Sequence, residues 1–152
     1  MRFHHVLIAT AAIALATGAS ARAAGYDVAP IGTKGAYLGC MAVNAGTGVA
    51  FVAVGNNLSV MLTSPGWKVV KGDPIDGTWS IDGGKERTLA VKADGPGTVS
   101  VDLEANKAAL DLLGGGNELT GSIGKNSFVF DLGGSKQALS DLGDCMDSTA
   151  KK

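Results

Sequence analysis

After its fifth residue this 152-residue chain contains no histidine. His4 and His5 fall in a stretch read below as a removable leader, so the remainder has no imidazole. That excludes Ser-His-Asp and Cys-His catalysis, histidine-based zinc sites and imidazole acid–base work near neutral pH. Aromatic residues make up only 5% of the chain, too few to line a long sugar cleft. No charge of one sign dominates. Setting aside Arg2 and Arg22 takes the 13 basic residues to 11, against 14 acidic ones, for a formal charge near −3. Without a basic stripe, nucleic acid lacks its electrostatic footprint, and attraction to anionic lipid is equally unsupported. Lys151 and Lys152 read as a solvated tail. Beyond Ala16 no apolar run approaches the ~20 residues that a transmembrane helix needs.

What is present begins with an export signal. Met1 to His5 carry one fixed positive charge, and Val6 to Ala16 form an uncharged apolar run too short to span a bilayer. Gly18 breaks that helix, and Ala21-Arg22-Ala23 fits small-x-small cleavage before Ala24. Ala19-Ser20-Ala21 is a second candidate, and an uncleaved N-terminal anchor is the alternative. The expected organisation is a signal peptide over 1–23 and one β-rich domain over 24–152, working in the periplasm or outside the cell. Roughly 130 residues bury about two-thirds of their unfolded surface, enough for a real core.

Cysteine occurs twice, at Cys40 and Cys145. In an exported chain an even count reads as a disulfide. The bond would close a loop of roughly 100 residues, worth at most about 4–5 kcal/mol in chain-entropy models. Two free redox-active thiols are the alternative, but the pair is far apart and lacks a Cys-x-x-Cys setting.

Hydropathy alternates with period two through much of the chain. Tyr26 to Lys34, holding Pro30 and Gly32, reads as an irregular lead-in, with Ala36 to Met41 as the first strand. Val49 to Val54 is an apolar run suited to a strand buried on both faces, and Leu58, Val60 and Leu62 alternate in its hairpin partner. Further strands carry Trp79 and Ile81, Leu89 and Val91, and Val99, Val101 and Leu103. Asp94-Gly95-Pro96-Gly97 marks the turn before the last of these. Ala105, Ala108, Ala109, Leu112 and Leu113 follow helical spacing, with Gly114 where a C-cap is expected. Leu119 to Ile123 and Ser127 to Leu132 form a final hairpin, in which Phe128, Phe130 and Leu132 point one way. Ser135 is placed to cap a last helix whose Ala138, Leu142 and Cys145 share a face. The expected fold is mainly β, an antiparallel β-sandwich or open barrel with two short helices and one disulfide. No internal repeat or dividing linker is visible.

Few side chains suggest a site. Asp73, Asp76, Asp82 and Glu86 are weak candidates for hard-cation ligands, but they miss the EF-hand spacing and read better as turn carboxylates. Gly124-Lys125 fails the P-loop pattern, since Leu119 stands where glycine is required and Asn126 replaces the hydroxyl. A glycosidase-like carboxylate pair cannot be assembled from spacing alone. Trp67 and Trp79 remain as a candidate contact surface for sugar or protein, although a small β-domain is expected to place at least one in its core. The edge strands and the 64–86 region combine Trp, Gly and Pro and are the expected place of contact.

One set of residues is familiar. Gly39-Cys40 early, Trp67 followed by Lys71-Gly72, and Phe130-Asp131-Leu132-Gly133-Gly134-Ser135-Lys136-Gln137-Ala138-Leu139 leading to Cys145 together resemble small periplasmic proteins related to the invasion-associated locus B family. The resemblance implies a β-rich exported protein linked to host interaction or envelope function, and it brings no catalytic residues. The expectation is therefore a non-enzymatic binding or structural module with no cofactor, whose partner is an envelope or host protein. A small-ligand or metal-ion carrier using the turn carboxylates is the alternative.

Overall fold

Alternation of apolar and polar residues sets most of the architecture. The computed structural model describes residues 25–150; the expected signal peptide over 1–23 and the terminal lysine pair lie outside them. In chain order the elements are β1 (Asp27–Thr33), β2 (Ala36–Asn44), β3 (Val49–Val54), β4 (Asn57–Thr63), β5 (Pro74–Ile81), β6 (Arg87–Gly95), β7 (Thr98–Glu104), α1 (Lys107–Gly115), β8 (Glu118–Ile123), β9 (Asn126–Asp131) and α2 (Ser135–Thr149). The nine strands form one antiparallel sheet in the order β1-β2-β3-β4-β7-β6-β5-β8-β9. Its edges, β1 and β9, do not pair with each other, so the sheet stays open.

Strand β6 folds the sheet over. Arg87 to Lys92 pair with β5, whereas Ala93 and Gly95 pair with β7 across a register shift. A strand shared in this way bends the sheet, as bulges do. The two halves then face each other. Val60, Leu62 and Val101 from one half meet Trp79, Leu89, Leu119 and Phe128 from the other around a residual space of only about 10 Å³. Burying each such side chain contributes roughly 1.5–3 kcal/mol. On the β2–β3 ladder the register sets Cys40 beside Ala53 and Ala42 beside Phe51, all facing inward.

Helix α2 packs against α1, β1 and β2 and buries Ala138, Leu139 and Leu142. The Cys40–Cys145 disulfide fastens it there, with Cα atoms 6.2 Å apart and the two cysteines 105 positions apart in sequence. Beside the bond the Tyr37 hydroxyl donates to Met146 Sδ at 3.0 Å. Among the described residues no helix is long and apolar enough to cross a membrane.

Three local expectations are corrected. The lead-in is not irregular, because Asp27–Thr33 is a strand paired with β2. Its Pro30 lacks an amide donor, which β1 tolerates as an edge strand. Helix α1 does not stop at Gly114; it continues to Gly115, and Asn106 caps its start by accepting the Ala109 amide at 3.0 Å. Ser135 is the first residue of α2 rather than its cap, a place held by Gly134 in the left-handed region (φ 84°). The Ser135 hydroxyl instead donates to the Leu113 carbonyl at 2.7 Å, tying the start of α2 to α1.

Candidate functional site

The two tryptophans part company. Trp79 is 4% exposed and belongs to the core, with the Arg87 guanidinium 5.3 Å from its ring centroid. On β5 it pairs with Gly121 of β8, and Gly121 pairs in turn with Phe128 of β9. A Cβ on Gly121 would lie 2.5 Å from Phe128 Cζ, so the missing side chain is what lets that ring lie down beside Trp79. The expectation that Trp79 contributes to an exposed pair is thus corrected, because its pleat position points between the half-sheets.

Trp67 is half-buried, in the connection between β4 and β5. Its indole meets Phe128 and Phe130 edge-on, with centroids 5.4 and 5.5 Å away and interplanar angles of 74° and 70°. Such edge contacts suit the ring quadrupoles. Backbone bonds hold the segment still. Ser64 N donates to Gly97 O, Trp67 N to Ser64 O, and Gly97 N to Val69 O. Gly97 has φ 62° and leaves no room for a Cβ, which would sit 2.5 Å from the Ser64 carbonyl oxygen.

This pinned segment forms one wall of a groove of about 470 Å³. The opposite wall is Asn126 to Phe130 of β9, and Thr47 closes one side. Every lining residue is uncharged: hydroxyls, an amide, aromatic edges and Val129. Val129 is 65% exposed, the most exposed large apolar side chain among the described residues. The groove can offer hydrogen bonds and an aromatic contact, and it lies beside the unpaired backbone of β9.

The four candidate carboxylates do not converge. Asp73 accepts the Val70 amide at 2.9 Å in its own turn. Asp76 and Glu86 are exposed. Asp82 accepts the Glu118 amide at 2.8 Å and the Asn117 amide at 3.0 Å, and these bonds hold its carboxyl below the usual carboxylate range. It therefore fastens the start of β8. Among the described residues no group of three His, Cys, Asp or Glu side chains comes together as a metal ion requires.

Sequence reasoning missed the β9 wall, although a signal was there. With Phe128 and Phe130 pointing inward, Ser127, Val129 and Asp131 share the outward phase, and an apolar Val129 in that phase breaks the alternation expected of a solvated face.

Fold and site together define a class: a small domain built on one open antiparallel sheet, folded on itself, with a disulfide-fastened helix at one edge and an uncharged groove at the other. A solved structure with a similar fold is invasion associated protein B from Bartonella henselae. It is similar to this chain with a TM-score of 0.57 and 19% sequence identity, over 82% of this chain and 94% of that one. The resemblance read from Gly39-Cys40, Trp67 and the 130–139 block thus extends to the fold. No protein-family model matches the chain, and no curated protein matches it.

Proposed function

We propose that the domain is an exported, non-enzymatic binding module of the periplasm or cell exterior that holds an envelope or host protein at the groove between Trp67 and β9. The observation that carries this reading is the groove itself. Its lining holds no ionisable side chain, it presents a half-buried indole, and it runs along the unpaired β9 edge. Such a surface recognises by shape, hydrogen bonding and aromatic contact, and offers no group to move a proton. The leader-like start of the chain supports the location. The likeness to an invasion-associated protein agrees with an extracytoplasmic role.

A photo-cross-linking residue placed at Val129, compared with one at Lys85 on a distant turn, tests the reading in cells. Position 129 is expected to give one dominant adduct that position 85 does not give. Trp67→Ala should remove that adduct while the melting temperature falls only modestly. Equal labelling from both positions, or adducts indifferent to Trp67→Ala, would refute the groove as the binding surface.

A further inference from the structure

The geometry points to strand addition as the way this groove binds: an extended peptide segment pairs antiparallel with β9, with a basic residue at its N-terminal end and an acidic one at its C-terminal end. This inference rests on the groove reading above and adds the partner's conformation, direction and charge pattern.

The hairpin fixes which backbone groups are on offer. Gly124 and Lys125 form a two-residue turn, so Ile123 and Asn126 are its hydrogen-bonded pair. Alternate residues of an antiparallel strand bond to the same neighbour. Asn126, Phe128 and Phe130 therefore bond to β8, and the Leu132 amide keeps the phase by donating to the Asn117 carbonyl at 2.8 Å. Ser127, Val129 and Asp131 direct their N–H and C=O groups away from β8, along an edge where no strand follows among the described residues. A row of such groups is a template for an added strand.

The other edge of the sheet is protected. Strand β1 carries Pro30 and is packed by α2, two devices that blunt an edge. Strand β9 has neither. Its outer face carries the exposed Val129, and its inner side opens into the groove in front of Trp67. An added strand would send alternate side chains to those two places, an apolar one beside Val129 and small or apolar ones against the Trp67 wall.

The charges at the two ends of β9 fix the pattern that an antiparallel strand, the better-bonded of the two directions, would match. The groove lining is uncharged, but exposed Lys125 stands at the N-terminal end of β9 and exposed Asp131 at its C-terminal end, with Glu118 paired across from Asp131. A strand running antiparallel to β9 brings its own N-terminal end to Asp131 and its C-terminal end to Lys125. Lysine first and glutamate last is thus the matching pattern.

The test uses the mature chain and two seven-residue peptides of alternating valine and threonine. One begins with lysine and ends with glutamate, and the other has those ends exchanged. Amide hydrogen exchange should show Ser127 and Val129 becoming protected on addition of the first peptide. The exchanged peptide should bind about threefold more weakly, the scale of an exposed ion pair, and Lys125→Glu should remove that preference. Val129→Pro deletes one outward amide and leaves the β8 ladder intact, so it should weaken binding at least tenfold. Should Val129→Pro not fold, N-methylation of the peptide residue opposite Val129 removes the reciprocal bond, the peptide amide donating to the Val129 carbonyl, and a loss of similar size is expected. Binding unchanged by the N-methyl group, or no protection at Ser127 and Val129 under saturating peptide, overturns strand addition. Adducts at position 129 in cells without such protection overturn strand addition alone and leave the groove reading standing. Protection by the peptide without adducts supports strand addition and removes the envelope-partner reading.

Discussion

Tyr26 shows how one residue can couple this fold to pH. Its ring is 1% exposed and stacks on Phe51 with centroids 5.5 Å apart, yet its hydroxyl has no hydrogen-bond partner among the described residues. Burial, aided by the negative charge of Asp131, pushes its pKa from 10.0 up to about 12. An unfolded chain would ionise this phenol near pH 10, while the folded chain keeps it neutral. Between those values the unfolded state binds fewer protons, so stability declines as pH rises. The contribution is fully present below about pH 10 and is lost by about pH 12, on the order of 3 kcal/mol in all. Tyr26→Phe keeps the ring stack and removes the orphan hydroxyl. We expect its stability to equal or exceed that of the parent at pH 7, and its alkaline decline to be shallower by about that amount in denaturant titrations. Equal declines in the two proteins would show that the phenol is not what titrates.

At the scale of elements, the disulfide joins what sequence distance separates. Cys40 sits on β2 and Cys145 on the last turns of α2, so the bond restrains a helix that otherwise rests on Ala138, Leu139 and Leu142. Replacing both cysteines with alanine is expected to lower stability by about 2–4 kcal/mol. The loss should appear first as faster amide exchange in α2, with β4 and β7 unaffected. The elements also show what was legible in advance. Strands with clean alternation, such as Leu58, Val60 and Leu62 or Val99, Val101 and Leu103, were readable because one face of each is core. The disulfide and the buried face of α2 were readable from the even cysteine count behind an expected leader and from helical spacing. Strand β1 was not, because Pro30 and Gly32 signal a break wherever the strand's place in the sheet is unknown. The groove was half legible: Trp67 stood out, but its β9 wall depends on the sheet order, which brings residues some sixty positions apart together. The pairing of Trp79 with Gly121 and then Phe128 was hidden for the same reason, since no local pattern tells a core tryptophan from an exposed one.

Across the whole molecule, the start of the folded domain and the expected end of the leader nearly coincide. Cleavage before Ala24 leaves only Ala24 and Gly25 ahead of Tyr26, which is already core. The alternative cut after Ala21 leaves two more residues and also spares it. Either way the leader can be removed without touching the sheet, but processing a few residues further would strip an aromatic ring from its stack and a strand from its edge. Losing a buried aromatic side chain costs about 3–5 kcal/mol. We therefore expect the exported protein, weighed intact, to begin at Ala24 or Arg22 and at no residue beyond Gly25. A version beginning at Val28 should lose about 3 kcal/mol or more in denaturant unfolding relative to one beginning at Ala24. If the two unfold at the same denaturant concentration, the first core contact is not where the fold begins, and the edge strand β1 contributes little to it. If they differ as expected, Tyr26 and Asp27 belong to the folding unit, and a cut only two residues further than the expected one would already reach its core.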